Sequence, residues 1–223
     1  MSWEGDSLIV KICSHKSDQI GERTIPLHLY ANPYKPWVCP ILALGIFLYG
    51  IHFRDSNDKL DKLFQGNPYE TFAKYLCEAL PDMQSIAKNP EDYGTHSFRK
   101  GIATYCSGFI GGPSIVSVFL RAGWSLGNVQ DRYLQYSDGG DQLCGRIACL
   151  LNFNSGGEFG VLPPRFPNNN VLTKKEWNSI SPHIASLGGD AVEVCTKCLA
   201  QVIRHCPFYQ IMQICQAGCL ILT

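Results

Sequence analysis

Three short stretches of the chain carry side chains that could bind and attack a phosphodiester. His96 and Arg99 lie three residues apart at the predicted start of a helix, so they share one helix face. Trp124 follows downstream, Tyr133 lies nine residues beyond it, and Lys16 lies upstream in a polar stretch. A guanidinium can hold two phosphate oxygens, an imidazole can transfer a proton near neutral pH, and a phenol can act as a nucleophile. The helix start that carries His96 and Arg99 therefore predicts an oxyanion or phosphate site.

Each residue also has an ordinary structural explanation when it is taken alone. A His-x-x-Arg pair on a helix often forms a solvated surface, Trp124 is of a type common in cores, and Lys16 suits a turn. The functional hypothesis therefore rests on the order and spacing of the whole set. Tyr136 is a rival nucleophile, because it lies three residues after Tyr133, about one helical turn away. The interval from Trp124 favours Tyr133.

The order Lys, His-x-x-Arg, Gly-Trp and Tyr resembles the catalytic domain of the tyrosine recombinase (phage integrase) family of DNA breaking and rejoining enzymes. The segments Thr95–Gly101 and Leu120–Ser125 are most similar to the recombinases of eukaryotic Crypton-type transposons. The resemblance extends over about residues 8–151. It implies an α+β, mainly helical fold, in which a small N-terminal β-hairpin or sheet packs on a helical catalytic core.

The resemblance also implies a role for each matching residue. Tyr133 would attack the phosphate to give a 3′-phosphotyrosyl bond and free a 5′-hydroxyl, whose leaving oxygen Lys16 would protonate. Arg99 would be the main phosphate clamp, His96 a proton donor or acceptor, and Trp124 a hydrogen-bond donor through its indole N–H. Further phosphate contacts are expected from three other cations: Lys100, Arg121 and Arg132.

The implied activity is site-specific DNA recombination or integration, and it requires no metal or other cofactor. The expected partner is double-stranded DNA, on which the chain would form a homo-oligomer; no membrane or small-molecule substrate is expected.

The sequence departs from the family pattern in two ways. The family has a first catalytic Arg before the hairpin, whereas the first arginine of this chain is Arg23, which follows Lys16. We also expect no counterpart of the family's N-terminal DNA-clamping domain. Loss of one charge clamp costs about 10²–10³ in rate, so we expect a truncated catalytic domain with weak or no strand cleavage. The alternatives are a non-catalytic DNA-binding remnant of a mobile element and a structural helical domain with an accidental match.

The composition of the chain limits the classes of protein to which it can belong. The chain has 223 residues, 19 Lys+Arg and 19 Asp+Glu, and charged residues make up only 17%. Any DNA binding must therefore depend on locally placed cations and not on net charge. The longest apolar run, Ile41–Tyr49, is too short to cross a bilayer, and the acidic N-terminus is not a secretory signal. The sequence predicts an intracellular protein, nuclear if the host is eukaryotic.

The sequence predicts elements that would position these residues. Residues 8–12 and 23–30 are β-prone and flank the loop that carries Lys16, which favours a hairpin. Four helices are predicted with a start or end signal: residues 41–53 with Pro40 in the first turn, Asn67 to about Leu80 with Asn67 as the cap, Thr95 to about Cys106 with Thr95 as the cap, and Gly111 to Gly123 with Gly123 as the C-terminal cap. Further helices are predicted over residues 128–136, 141–151 and 190–207. A capping box, Thr173-Lys174-Lys175-Glu176, opens a further helix. We predict a catalytic domain over residues 1–151, then a linker-like loop and a helical extension over residues 152–223.

The eleven cysteines are concentrated late in the chain, with seven after residue 143. Since a secretory signal is missing from the sequence, we interpret them as reduced thiols. Cys195-x-x-Cys198 could be half of a zinc site. We favour a structural role for both thiols, because residues 191–203 have the pattern of a continuous amphipathic helix without a glycine between the two cysteines.

Overall fold

The computed structural model describes residues 1–12, 25–52, 63–64, 66–83, 89, 92–127, 134, 137–167 and 171–207. It is an α+β protein, mostly helical, with a three-stranded antiparallel sheet at the N-terminus, as the sequence predicts at this level. The chain divides into two compact units. Unit 1 comprises Met1–Asp55 and Tyr136–Thr223, and unit 2 comprises Ser56–Gln135.

The sheet contains β1 (Ser2–Glu4), β2 (Ser7–Lys11) and β3 (Pro26–Tyr30), in that order. β2 and β3 pair antiparallel, with Ser7 opposite Tyr30 and Lys11 opposite Pro26, so the predicted hairpin is confirmed. β1 was not predicted, because three residues are too few to show a period of two. It pairs with β2 across a tight turn at Gly5, whose φ of 57° favours glycine.

The α-helices of the described residues follow in chain order. They are α1 (Pro40–Phe47), α2 (Pro68–Ala79), α3 (Thr95–Ser107), α4 (Ile115–Arg121), α5 (Asp138–Ala148), α6 (Gly156–Phe159), α7 (Lys174–Ile180), α8 (Pro182–Ala185) and α9 (Gly189–Arg204). A π-helical turn, Leu48–His52, extends α1, and 3₁₀ turns lie at Pro36–Val38 and Leu80–Met83. None of the helices in the described ranges has the length and apolar composition needed to span a membrane.

In unit 1, α9 packs against α1 and β1, and α5 packs against β3. Helices α1 and α9 approach each other closely at Gly45, because a Cβ at this position would lie 2.8 Å from the Cys198 carbonyl oxygen. The Tyr49 hydroxyl donates to the Cys195 carbonyl at 2.8 Å, and the Lys197 ammonium lies 5.8 Å from the centre of the Trp3 ring. Helix α9 is therefore an integral part of this core.

Two polar contacts attach α5 to the sheet. The buried Asp141 carboxylate accepts a hydrogen bond from the His28 backbone N–H at 2.7 Å, and the same oxygen lies 2.9 Å from His28 Nδ1. Arg146 forms an ion pair with Asp6 and donates to the Phe159 carbonyl at 2.7 Å, while its guanidinium covers the Tyr30 ring at 4.2 Å. These contacts join segments that are far apart in the sequence.

Unit 2 contains α2, α3 and α4. Helix α2 begins as predicted, since the Asn67 side chain accepts from the N–H groups of Tyr69 and Glu70 and Pro68 occupies the first helical position. The predicted Thr173–Glu176 capping box is likewise present at the start of α7.

Several predicted element ends differ in the structure. Gly94 and not Thr95 caps α3, because the Ser97 side chain bonds back to the Gly94 N–H. Gly188 and not Asp190 caps α9, and Asp190 lies in its first turn. The stretch after residue 152, predicted as a linker-like loop, contains α6 and buries Val161 and Phe166. It is therefore a packed part of the fold.

The predicted domain division at residue 151 stays a prediction. The compact units divide the chain at other positions, since the C-terminal helices cluster with the sheet.

Candidate nucleic-acid interface

Helix α3 presents three of the predicted site residues. Its start is fixed by a reciprocal pair of bonds, in which the Gly94 N–H donates to Ser97 Oγ at 3.0 Å and the Ser97 N–H donates to the Gly94 carbonyl at 2.9 Å. His96 therefore lies in the first turn of the helix, with Arg99 and Lys100 in the next positions along it. All three of these side chains are exposed.

His96 and Arg99 share one face of α3, as their spacing predicts. Arg99 lies four and seven residues before the buried Ala103 and Cys106, so it is on the same side of α3, but its own side chain is exposed. Among the described residues, His96, Arg99 and Lys100 have no hydrogen-bond or ion-pair partner. An exposed guanidinium without a carboxylate partner is available to an anionic ligand.

Arg121 and Trp124 lie at the end of α4, where the chain makes a Schellman motif. The Gly123 N–H donates to the Leu120 carbonyl at 3.0 Å, and the Trp124 N–H donates to the Phe119 carbonyl at 2.9 Å. Gly123 has a φ of 68°, the left-handed conformation that this motif requires. Its predicted role as a helix cap is confirmed.

The Trp124 side chain completes the same motif. Its ring meets the Phe119 ring edge-on, with centroids 5.3 Å apart, while 36% of its surface stays exposed. A hydrophobic contact between these two positions commonly accompanies a Schellman motif. The Gly123-Trp124 pair thus has a complete structural explanation, independent of any catalytic role.

The described candidates all belong to unit 2, where α3 and α4 contact each other. The remaining three, Lys16, Arg132 and Tyr133, lie outside the described residues, as does the rival Tyr136. The structure therefore brings the α3 cations and the α4 end into one unit. The convergence of all five catalytic candidates around one phosphate stays a prediction.

The Cys195-x-x-Cys198 pair lies on continuous helix, as predicted, and both thiols are buried in α9. Burial raises the pKa of Cys195 to about 11 and raises the pKa of Cys198 as well, so both groups hold their protons at neutral pH. Within the described ranges, no group of three or more potential ligands could hold a metal ion.

Sequence reasoning missed one surface of unit 2. Tyr69 and Phe72 on α2 are exposed and meet α3 at Thr95 and Phe98, respectively. The signal was the spacing of the aromatic residues on α2, which places them on one helix face.

Comparison with known proteins adds no family to this description: no family model matches the chain, and neither a curated protein nor a solved structure shows significant similarity to it. The resemblance to tyrosine recombinases therefore stays a prediction from the motif residues.

Proposed function

We propose that this chain binds double-stranded DNA through its phosphate backbone, as a protein of the tyrosine recombinase type with the corresponding catalytic core. The observation that supports this best is the placement of His96 and Arg99. Both are exposed on one face of α3, beside the positive end of the helix, and neither has a partner among the described residues. Helix starts, guanidinium groups and imidazolium groups all favour phosphate oxygens.

In the catalytic form of the proposal, the Tyr133 phenol passes its proton to His96 and attacks the phosphorus, forming a 3′-phosphotyrosyl bond as the bond from phosphorus to the 5′ oxygen breaks. Lys16 protonates that leaving oxygen, which gives a free 5′-hydroxyl. Arg99 and His96 stabilise the charge that develops on the non-bridging oxygens. The phosphotyrosyl bond keeps the energy of the broken phosphodiester, so religation to a second DNA end needs no cofactor. Recombination of this kind would use a homo-oligomer on paired DNA sites, in the nucleus if the host is eukaryotic.

A second candidate is DNA binding without cleavage, and one observation favours it. The Gly123-Trp124 pair that matches the motif is accounted for by the end of α4, where the Trp124 backbone N–H and ring contact Phe119. In this form Arg99, Lys100 and Arg121 contact phosphates and no strand is cut. We therefore expect DNA binding to be robust and strand cleavage to be weak or absent.

Binding is tested by fluorescence anisotropy with a labelled duplex over a range of salt concentrations. Arg99→Ala should weaken binding and reduce the slope of log K against log salt by about one, because one phosphate contact is lost. Lys175→Ala is the matched control, since it removes an exposed cation of α7 in unit 1. The proposal would be contradicted if Arg99→Ala and Lys175→Ala lost the same affinity for the duplex, or if binding did not depend on salt.

Cleavage is tested with a nicked suicide duplex, which traps a covalent protein–DNA adduct on a denaturing gel. An adduct that Tyr133→Phe abolishes and Tyr136→Phe preserves would establish the catalytic form and its nucleophile. Salt-dependent binding without an adduct would establish the non-catalytic form.

A further inference from the structure

A group of exposed aromatic side chains lies where α2 meets α3. The Phe72 and Phe98 rings meet edge to face with centroids 5.5 Å apart, and Thr95 Oγ1 donates to the Tyr69 hydroxyl at 3.4 Å. Phe72, Phe98 and Tyr69 nonetheless keep 46%, 53% and 63% of their surface exposed. Tyr75, which is 65% exposed, continues the row on α2. We call Tyr69, Phe72, Tyr75 and Phe98 the aromatic patch.

The aromatic patch is unlike a scatter of surface apolar residues. Helix α2 buries none of its residues, although it carries three of the four aromatic rings. Contiguous apolar surfaces of this kind mark sites at which another molecule binds. Since Phe72 on α2 is in contact with Phe98 on α3, the patch extends over both helices.

The charges around the aromatic patch are arranged asymmetrically. On α2, Glu70, Lys74 and Glu78 follow one another at four-residue intervals, a stripe on the side of the helix away from the aromatic row. Within it, Lys74 lies 3.9 Å from Glu78. On α3, Arg99 follows Phe98 by one position, which places it about 100° further round the helix, and it is exposed without a partner among the described residues. An exposed cation therefore lies about a quarter of a turn from Phe98, and the α2 carboxylates lie on the other side of α2 from its aromatic row.

We propose that the aromatic patch stacks on unpaired DNA bases while Arg99 holds an adjacent phosphate. This inference rests on the proposed function and names its substrate class, DNA that contains a single-stranded region. The faces of paired bases are covered by their neighbours in a duplex and cannot stack on protein rings. Unpaired bases can stack on protein rings, and proteins commonly bind them with aromatic side chains beside a cationic surface.

The experiment compares three DNAs of equal length by fluorescence anisotropy: an intact duplex, a duplex with a gap of about eight unpaired nucleotides, which is within the usual single-strand site size, and the same gap made of abasic nucleotides. The abasic gap keeps every phosphate and removes only the bases. We expect the base-containing gap to bind about tenfold more tightly than the other two, as the stacking of one or two bases would give.

Phe98→Leu and Phe72→Leu should each remove most of this preference while leaving duplex binding unchanged. Tyr34→Leu is the matched control, because Tyr34 is a 52% exposed ring in unit 1. Thermal unfolding of each variant checks that it is folded.

The outcomes separate this inference from the proposed function. Equal binding of the two gapped DNAs, with salt-dependent duplex binding that Arg99→Ala weakens, overturns the stacking role and leaves DNA binding standing. Absence of salt-dependent binding to all three DNAs overturns the proposed function, and this inference with it. A dimer that dissociates on Phe98→Leu would show that a second copy of the chain covers the patch, which also overturns the stacking role.

Discussion

Trp124 donates its backbone N–H to the Phe119 carbonyl at 2.9 Å and sets its ring edge-on against the Phe119 ring. One residue that the sequence motif assigns to phosphate chemistry thus ends a helix. The two roles are compatible in principle, since the indole N–H takes no part in the backbone bond, and they can be separated by mutation.

Trp124→Phe should leave both stability and DNA binding unchanged. The phenyl ring keeps the edge contact with Phe119, and the backbone bond is independent of the side chain. Trp124→Ala, by contrast, removes the ring pair and should lower the free energy of unfolding by about 1 kcal/mol. Chemical denaturation and anisotropy measure the two effects. If folded Trp124→Phe lost the covalent DNA adduct of the wild type, the indole N–H would have the catalytic role.

Gly123→Ala should lower the free energy of unfolding by about 1–2 kcal/mol, because its φ of 68° is costly for a residue with a Cβ. Gly101→Ala is the opposite control. Gly101 lies inside α3 with open space around its Cα, so alanine there should raise stability by about 0.5–1 kcal/mol. Urea denaturation compares the two variants, and a stabilising Gly123→Ala would refute the Schellman assignment.

Asp141→Ala should lower the free energy of unfolding by about 3 kcal/mol, because it removes the buried carboxylate that accepts from the His28 backbone N–H and contacts His28 Nδ1. Asp138→Ala, an exposed change in the first turn of the same helix, should cost about 0.3–1 kcal/mol through the helix dipole. Denaturant unfolding gives both values. If both variants lost the same free energy of unfolding, the buried contact of Asp141 with His28 would contribute no more to stability than an exposed carboxylate.

Stability should fall in alkaline solution. Burial raises the pKa of Cys195 from 9.0 to about 11 and raises the pKa values of Cys198 and Tyr49. Above pH 9 the unfolded chain releases the Cys195 proton while the folded chain retains it, so the folded state binds more protons. The contribution of Cys195 is therefore complete below pH 9 and is lost as pH rises to about 11.

The expected slope is up to about 1.4 kcal/mol per pH unit for each such group. Denaturant unfolding across this range measures it. Cys195→Ala should flatten the profile, and Cys77→Ala, an exposed change on α2, should not. A flat wild-type profile between pH 9 and pH 11 would contradict the burial of the Cys195 thiol.

The parts of the fold that sequence could predict are those that local chemistry determines. The Asn67-Pro68 start of α2, the Thr173–Glu176 capping box and the β2–β3 hairpin depend on residues close together in the chain, so their patterns are visible in it. The contact of Asp141 with His28 joins distant segments and has no local signal.

In the candidate site too, the sequence predicts the local features and not those that depend on tertiary contacts. Spacing correctly places His96 and Arg99 on one face of α3, because helix periodicity is local. It does not reveal that Gly123-Trp124 also ends α4, since the same two residues satisfy a catalytic motif and a capping motif. Nor does it indicate that Arg99 has no partner among the described residues, which depends on tertiary contacts.

The packing of α9 on β1 has a consequence for how the nascent chain matures. Unit 2 is made of one continuous stretch and can fold soon after it leaves the ribosome. Strand β1 emerges well before α9, the helix that covers it, because unit 2 and most of unit 1 lie between them in the sequence. During that delay the apolar residues beneath α9 are open to solvent, and closing so long a loop is slow. Unit 1 is therefore the part of this protein whose synthesis should depend most on chaperones.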